Sequence, residues 1–189
     1  MDSQRLVPTD QQLSPAYLDP ELGDEERIDA LLTVLTLAEK LACLHANFSI
    51  PRLGIRGSSL VEGLHGLALG GPARFGGDAP VATTTYPQAV GIACTWDETA
   101  LTEVGAVEAY EARYYFHAPQ FRTAGLMVRA PSGELTIDPR SARTDENFGE
   151  DPYLAGVLAA AFVRGLQGNH ARYWMAAAML RHFRVSASH

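Results

Sequence analysis

At 189 residues and 47% hydrophobic content, the chain is long and apolar enough for one domain with a buried core, which excludes a disordered or fibrous protein. Its net charge is −7 and its basic residues are scattered, so no nucleic-acid partner is expected, because such a partner requires a basic surface. No apolar run reaches the roughly 18 residues of a membrane-spanning helix, so no membrane partner is expected either.

The first predicted elements are two helices. Residues 1–23 are rich in Pro, Gln, Asp and Ser without a hydrophobic period and indicate an N-terminal arm, so the domain is expected to cover residues 24–189. Acidic residues at 24–26 favour the positive end of a helix dipole. The apolar residues that follow recur at helical spacing: Ile28, Leu31, Leu32 and Leu35. The segment 36–39, Thr-Leu-Ala-Glu, is a capping box that predicts a second helix.

The middle of the chain is predicted to hold a strand, a long loop and a helix. Residues 50–87 are dense in Gly and Pro, which predicts a short strand around Leu60 and a loop over 66–80. Asp97 is a good helix N-cap, and the apolar spacing after it predicts a long helix to about Phe116.

The last third of the chain alternates strand, helix and strand. The apolar run 126–130 predicts a buried strand, Asp151 with Pro152 begins a helix, and the apolar run 173–180 predicts another strand. Helices that alternate with short apolar strands indicate an α/β fold with a parallel sheet. Since a complete (β/α)8 barrel takes roughly 250 residues, we predict a partial TIM-type barrel that is incomplete at its C-terminus.

Four segments carry recognisable motifs in one order. They contain Glu-Gly-Leu-His-Gly at 62–66, Tyr-Pro-Gln-Ala-Val-Gly at 86–91, Asp-Pro-Arg-Ser-Ala-Arg at 138–143 and Arg-His-Phe at 181–183. In these motifs the chain resembles part of the N-terminal barrel domain of glycoside hydrolase family 3. The resemblance implies hydrolysis of O-glycosyl bonds in carbohydrate metabolism by a retaining, exo-acting β-glucosidase or β-xylosidase. The implied partners are β-linked glucoside or xyloside oligosaccharides.

The resemblance also implies four substrate-binding residues. It places a carboxylate at Glu62, a sugar-binding arginine at Arg140, and the family's Lys-His pair at Arg181 and His182. A monosaccharide presents hydroxyls that both donate and accept, so a tight pocket needs carboxylates to accept from some and cations to donate to others. All four residues lie at or just after predicted strands, where the site of a parallel barrel is found.

Structural roles are the alternative for the same residues. Without the resemblance, Glu62 and Arg140 are better interpreted as partners in salt bridges, and His182 as a core histidine. Three residues are expected to hold their loop together rather than to contact sugar, namely Arg143, Asp145 and Glu146. The sequence also departs from the family, with Ser141-Ala142 for the usual Trp-Gly and Arg181 for the usual Lys.

No catalytic residue is expected in this chain. Retaining glycosidases need a nucleophilic carboxylate and an acid/base carboxylate roughly 5 Å apart, and the family takes both from sequence downstream of its Lys-His motif. We therefore expect a chain that binds sugar but is inactive alone, and that self-associates through the unfinished barrel edge. The alternative is a non-catalytic sugar-binding or complementing fragment.

No cofactor, metal or export signal is expected. The two cysteines, Cys43 and Cys94, lack disulfide or zinc spacing, and neither Gly-Lys-Ser/Thr nor His-Glu-x-x-His occurs. Residues 1–20 lack the basic start and apolar stretch of a secretory signal, so a cytoplasmic location is the default. The resemblance allows periplasmic or secreted relatives.

Overall fold

A computed structural model gives the fold and describes residues 15–45, 48–57, 59–69, 81–118 and 125–182. Most of the predicted arm, most of the predicted loop over 66–80 and the residues after His182 lie outside this range. The chain forms two compact units, Met1–His45 and Ala46–His189. The division falls after His45, so the predicted boundary after residue 23 lies within the first unit.

The described part of the first unit contains the two predicted helices. Helix α1 spans Asp24–Val34 and helix α2 spans Leu37–Ala42, after a 3₁₀ turn at Ala16–Leu18. The predicted capping box is confirmed, because Thr36 Oγ1 accepts the Glu39 N–H at 3.2 Å and Glu39 Oε2 accepts the Thr36 N–H at 2.9 Å. Neither helix contains a buried residue, and of the apolar residues that predicted the first helix only Leu35, which directly follows α1, is buried.

The second unit contains a three-stranded parallel sheet. Its strands are β1 (Leu60–Glu62), β2 (Met127–Arg129) and β3 (Ala177–Ala178), in that order across the sheet. The register pairs Glu62 with Arg129 and Val128 with Ala178. The α/β class with parallel strands is therefore confirmed.

Strand β3 is shorter than the predicted strand over 173–180. Arg113 donates hydrogen bonds to the carbonyls of Trp174 and Met175, and the Met175 N–H donates to Gln167 O at 2.9 Å. These tertiary contacts bind the first half of the apolar run to the neighbouring helices, so only its second half joins the sheet.

In the described part of the second unit, three α-helices lie between the strands in sequence. They are α3 (Ala89–Ala93), α4 (Glu98–His117) and α5 (Pro152–Gln167). Both predicted caps are confirmed: Asp97 accepts the Thr99 and Ala100 N–H groups, and Asp151 accepts the Leu154 N–H. The sequence did not predict α3, because five residues are too few to establish a helical period.

The core lies between the sheet and helices α4 and α5. The middle residues of β1 and β2, Val61 and Val128, are buried. They belong to one cluster with apolar side chains of the two helices, namely Leu101, Val104, Leu158, Phe162 and Leu166. Val61 and Val128 are the central residues of β1 and β2. Because the core holds them, the residues that end these two strands, Glu62 and Arg129, lie at the carboxyl edge of the sheet.

Close contact between α4 and α5 depends on glycine. A Cβ at Gly165 would lie 2.0 Å from the Thr102 carbonyl oxygen on α4, whereas a Cβ at Gly156, also on α5, would meet nothing within 4 Å. We expect Gly165→Ala to lower the free energy of unfolding by about 2 kcal/mol, since the helices must move apart. We expect Gly156→Ala to raise it by about 0.5 kcal/mol through helix propensity. Urea unfolding of both variants checks this, and equal effects would contradict it.

Candidate functional site

A polar cavity opens at the carboxyl edge of the sheet. Its volume is about 350 Å³. The lining residues come from the end of β1 and the turn after it, from the N-terminal side of α3, from the end of β2, from the 3₁₀ turn at 144–146 with the residue before it, and from the segment after β3. They are Glu62, Gly63, Leu64, His65, Ala68, Gln88, Arg129, Arg143, Glu146 and Arg181. In a parallel sheet this edge collects the side chains that follow each strand, and ligand sites of α/β proteins lie there.

Glu62 is held by two arginines. Its Oε1 accepts from Arg129 Nη1 at 2.6 Å, a pair that follows from the β1–β2 register. Its Oε2 lies 3.3 Å from Arg181 Nη1. With 22% of the Glu62 side chain exposed, the carboxylate borders the cavity while both of its oxygens are paired. Arg129 was not among the predicted site residues, although its position at the end of a strand beside Glu62 is a signal that could have identified it.

A second carboxylate continues this ion-pair network. Glu146 accepts two hydrogen bonds from Arg143 at 2.7 Å each, and its Oε2 also accepts from Arg181 Nη2 at 3.0 Å. Burial raises the pKa of Glu146, but hydrogen bonding to Arg143 and the charges of Arg181, Arg143 and His182 outweigh burial and hold that pKa below its usual range. Glu146 is therefore an ionised acceptor at neutral pH. The network alternates in sign along Arg129, Glu62, Arg181, Glu146 and Arg143.

His182 adjoins this network without lining the cavity. Its Nε2 lies 3.0 Å from Arg143 Nη1, and its Nδ1 lies 3.2 Å from Oε1 of the buried Glu134. A guanidinium only donates, so Nε2 can accept this hydrogen bond only in the tautomer that carries its proton on Nδ1, the nitrogen that faces Glu134. The contact between Nδ1 and Glu134 is a close approach whose angles do not make a hydrogen bond, since Nδ1 has no hydrogen-bond partner in the described part of the chain.

Arg140 lies outside the cavity. Its side chain is 88% exposed and pairs with Asp138 at 2.7 Å. This pairing holds the pKa of Asp138 below its usual range through hydrogen bonds from the Arg140 side chain and backbone. The local reason is a turn in which the Ser141 N–H donates to Asp138 O, followed by a 3₁₀ turn at Thr144–Glu146 that brings Arg143 inward. Arg140 therefore lies apart from the cavity, whereas the resemblance implies that it binds the substrate together with Glu62, Arg181 and His182.

The predicted site residues thus separate into three groups. Glu62 and Arg181 line one cavity, His182 contacts that cavity through Arg143, and Arg140 is at the surface. Arg143 and Glu146 bind each other and line the cavity as well, so their predicted structural role and a site role coincide. Two carboxylates and three guanidinium groups around one space offer acceptors and donors that suit a polyhydroxylated ligand.

Neither a group of metal ligands nor a membrane-spanning helix occurs in the described residues. No three or more His, Cys, Asp and Glu side chains in this part of the chain are grouped so as to hold a metal ion. None of the helices described here combines the length and the apolar character needed to cross a membrane.

The sequence matches a family model. The model described as "Glycosyl hydrolase family 3 N terminal domain" matches residues 69–188. Beta-D-xylosidase 1 of Arabidopsis thaliana is 41% identical over 148 residues, covering 77% of this chain and 19% of that protein. Xylan 1,4-beta-xylosidase of Xylanibacter ruminicola is 34% identical over 179 residues, covering 89% of this chain and 20% of that protein. The chain therefore spans about a fifth of the length of these curated relatives.

Solved structures agree in fold. A family 3 exo-beta-xylosidase in complex with a xylobiose aziridine probe aligns with a TM-score of 0.75 at 22% identity, covering 93% of this chain and 22% of that one. A beta-glucosidase from Kluyveromyces marxianus in complex with glucose aligns with a TM-score of 0.66 at 28% identity, covering 82% of this chain and 17% of that one. The family model covers more than half of the sequence, so the chain belongs to glycoside hydrolase family 3.

Proposed function

We propose that the cavity at the carboxyl edge of the sheet binds the terminal sugar of a β-linked xyloside or glucoside. The observation that carries this proposal is the alternation of Glu62, Arg181, Glu146 and Arg143 around one space at the ends of parallel strands. Each arginine has more donor groups than its partners occupy, and each carboxylate has further lone pairs, so both can exchange part of this pairing for sugar hydroxyls.

A xyloside is the first choice of substrate. The two relatives described above are named as xylosidases, and one solved neighbour holds a xylobiose-derived probe. The glucose complex of the Kluyveromyces marxianus enzyme supports a glucoside as the second choice. The retaining, exo-acting hydrolysis that the family resemblance implies is part of this proposal.

We propose further that the three parallel strands are part of a (β/α)8 barrel. The support is the sequence of strand, helices, strand, helix and strand in the second unit, with the polar cavity at the carboxyl edge. Strand β3 is the last strand of the described sheet, and Leu180 beside it is exposed. Self-association along this edge stays a prediction, which sedimentation of the purified chain would check.

A second candidate function is sugar binding without catalysis. It is favoured by one specific observation, that both cavity carboxylates are occupied by arginines. Such groups position a ligand well but are poor reactants, so a chain with these residues alone would act as a binding or complementing module.

A pair of arginine variants tests the cavity. We expect Arg143→Gln to weaken the binding of xylose or xylobiose at least tenfold, because a hydrogen bond from a charged donor contributes about 1.5–3 kcal/mol. Arg140→Gln, three residues away and at the surface, should leave the affinity unchanged. Calorimetric titration at neutral pH measures both.

A larger loss of sugar affinity in Arg140→Gln than in Arg143→Gln would contradict this assignment. It would support the sugar-binding role for Arg140 that the family resemblance implies. Absence of binding by the wild-type chain at high sugar concentration, with xylose, xylobiose, glucose and cellobiose alike, would remove the proposed function altogether.

A further inference from the structure

Helix α4 contains a carboxyl group that the proposed sugar site does not use. Glu108 is fully buried, with 0% of the residue exposed, among the apolar residues of α4 and the sheet. Burying a carboxylate is costly unless it receives hydrogen bonds. Glu108 receives two from one segment of backbone: the Leu64 N–H donates to Oε2 at 3.2 Å, and the Gly66 N–H donates to Oε1 at 3.1 Å.

This backbone segment forms the wall of the cavity. Residues 62–65 all line it, and they follow directly from strand β1. Two residues of the segment have positive φ, Leu64 at 89° and Gly66 at 116°. Glycine adopts such angles readily. A leucine adopts positive φ only where its surroundings impose it. One of the two hydrogen bonds to Glu108 comes from Leu64 itself and the other comes from Gly66, two residues further on, and together they supply that restraint.

The turn also lies directly against Glu108. A Cβ at Gly63 would lie 2.8 Å from Glu108 Oε2 and 2.3 Å from Val128 Cγ1, so even one methyl group would not fit. On its other side the turn is tied by the Tyr86 N–H, which donates to His65 O at 2.9 Å. Glu108 therefore holds the turn 63–66 from its buried side. Glu62 directly precedes this turn, and His65 is part of it.

The charge state of this anchor changes near neutral pH. Burial raises the pKa of Glu108 to about 7, with a smaller contribution from the charge of Glu111, while the hydrogen bonds from Leu64 and Gly66 lower it. The titratable groups beside it are Glu111, which accepts from Thr84, and Tyr86, whose pKa is raised by burial and by both glutamates. A protonated carboxyl keeps one good acceptor oxygen, so protonation weakens one of the two bonds to the turn.

We propose that Glu108 is a positioning residue of the cavity, whose carboxylate fixes the turn 63–66 and through it the orientation of Glu62 and His65. That Glu108 affects sugar binding rests on the proposed function. That Glu108 holds the turn 63–66 does not, so the effect on the turn and the effect on sugar binding can be tested separately.

The test follows the backbone amides of Leu64 and Gly66 by NMR between pH 5 and pH 9. In the wild-type chain we expect both amide signals to titrate with a midpoint near 7. In Glu108→Gln this titration should disappear, and hydrogen exchange should become at least tenfold faster at the one amide that has lost its acceptor oxygen. Because Glu108→Gln retains every other titratable group, any titration of the two amides that persists in the variant comes from a group other than Glu108. The matched control, Glu111→Gln, should keep the titration, shifted to slightly lower pH.

Wild-type amides that do not respond to pH would overturn the proposal even if Glu108→Gln fails to fold, and so would an identical titration in that variant. If the amides respond as expected, xylose affinity of the wild-type chain should fall severalfold from pH 8 to pH 6, and that dependence should be absent in Glu108→Gln. Amides that respond in a chain that binds no sugar at any pH would leave the positioning role intact and remove the proposed function instead.

Discussion

Replacing Glu146 with glutamine should destabilise the second unit more than any other change within the ion-pair network. Glu146 is bonded to both Arg143 and Arg181, whose side chains are 38% and 15% exposed. The variant leaves two guanidinium groups close together with no charge between them. Breaking a fully buried pair costs about 3–5 kcal/mol, and allowing for partial exposure we expect a loss of about 2 kcal/mol in the free energy of unfolding.

The same substitution at Glu98 is the control. Glu98 pairs with Arg164 at 3.3 Å, and more than half of each side chain is exposed, so Glu98→Gln should change the free energy of unfolding by less than about 1 kcal/mol. Urea unfolding at neutral pH compares the two variants. Equal effects would mean that solvent screens the cavity network as completely as a surface pair.

The pH dependence provides a second check on Glu146. Its pKa is lower in the folded chain than in the unfolded chain, so its stabilising effect is complete above the unfolded value, about 4.3, and is lost as pH falls through the lowered folded value. The wild-type chain should therefore lose this part of its stability on acidification, and Glu146→Gln should not. A constant difference between the two from pH 7 down to pH 3 would contradict the assigned charge state.

Local signals predicted the helix starts correctly. Asp97, Asp151 and the Thr36–Glu39 box act through hydrogen bonds to residues two or three positions along the chain, so the sequence alone contains both partners. Glu62 could be placed at the cavity for a similar reason, because it ends a short apolar run and the ends of parallel strands gather at one edge. The length of β3 could not be predicted, since it depends on contacts with Arg113 and Gln167 that are distant in sequence.

The sequence pattern could not predict which of Arg140 and Arg143 lines the cavity. The two residues are three positions apart in an irregular segment that has no period, and the direction of each depends on turns on either side. Glu108 is a related case. A charged residue within a helix predicts a solvated face, and only the packing of the turn 63–66 on α4 makes this carboxyl a buried acceptor.

The purified chain should not hydrolyse nitrophenyl β-xyloside or nitrophenyl β-glucoside at a measurable rate. Retaining hydrolysis needs an ionised carboxylate to attack the anomeric carbon and a protonated acid to assist the leaving group, roughly 5 Å apart. The carboxylates that line the cavity in the described residues are Glu62 and Glu146, and each is bound to two arginines. This pairing blocks the attack of either group and, because the pKa of Glu146 is lowered, denies that group the role of acid.

The other polar groups of the cavity do not supply the missing step. Arginine does not release its proton near neutral pH, so Arg129, Arg143 and Arg181 position hydroxyls without acting as acids. His182 could transfer a proton, but its Nε2 faces Arg143 and its Nδ1 faces Glu134. The measurement is release of nitrophenol by a sample whose sugar binding has been established by calorimetry. Turnover that is abolished by Glu62→Gln or by Glu146→Gln would show that these residues form a reacting pair, and the cavity would then be an active site rather than the binding part of one.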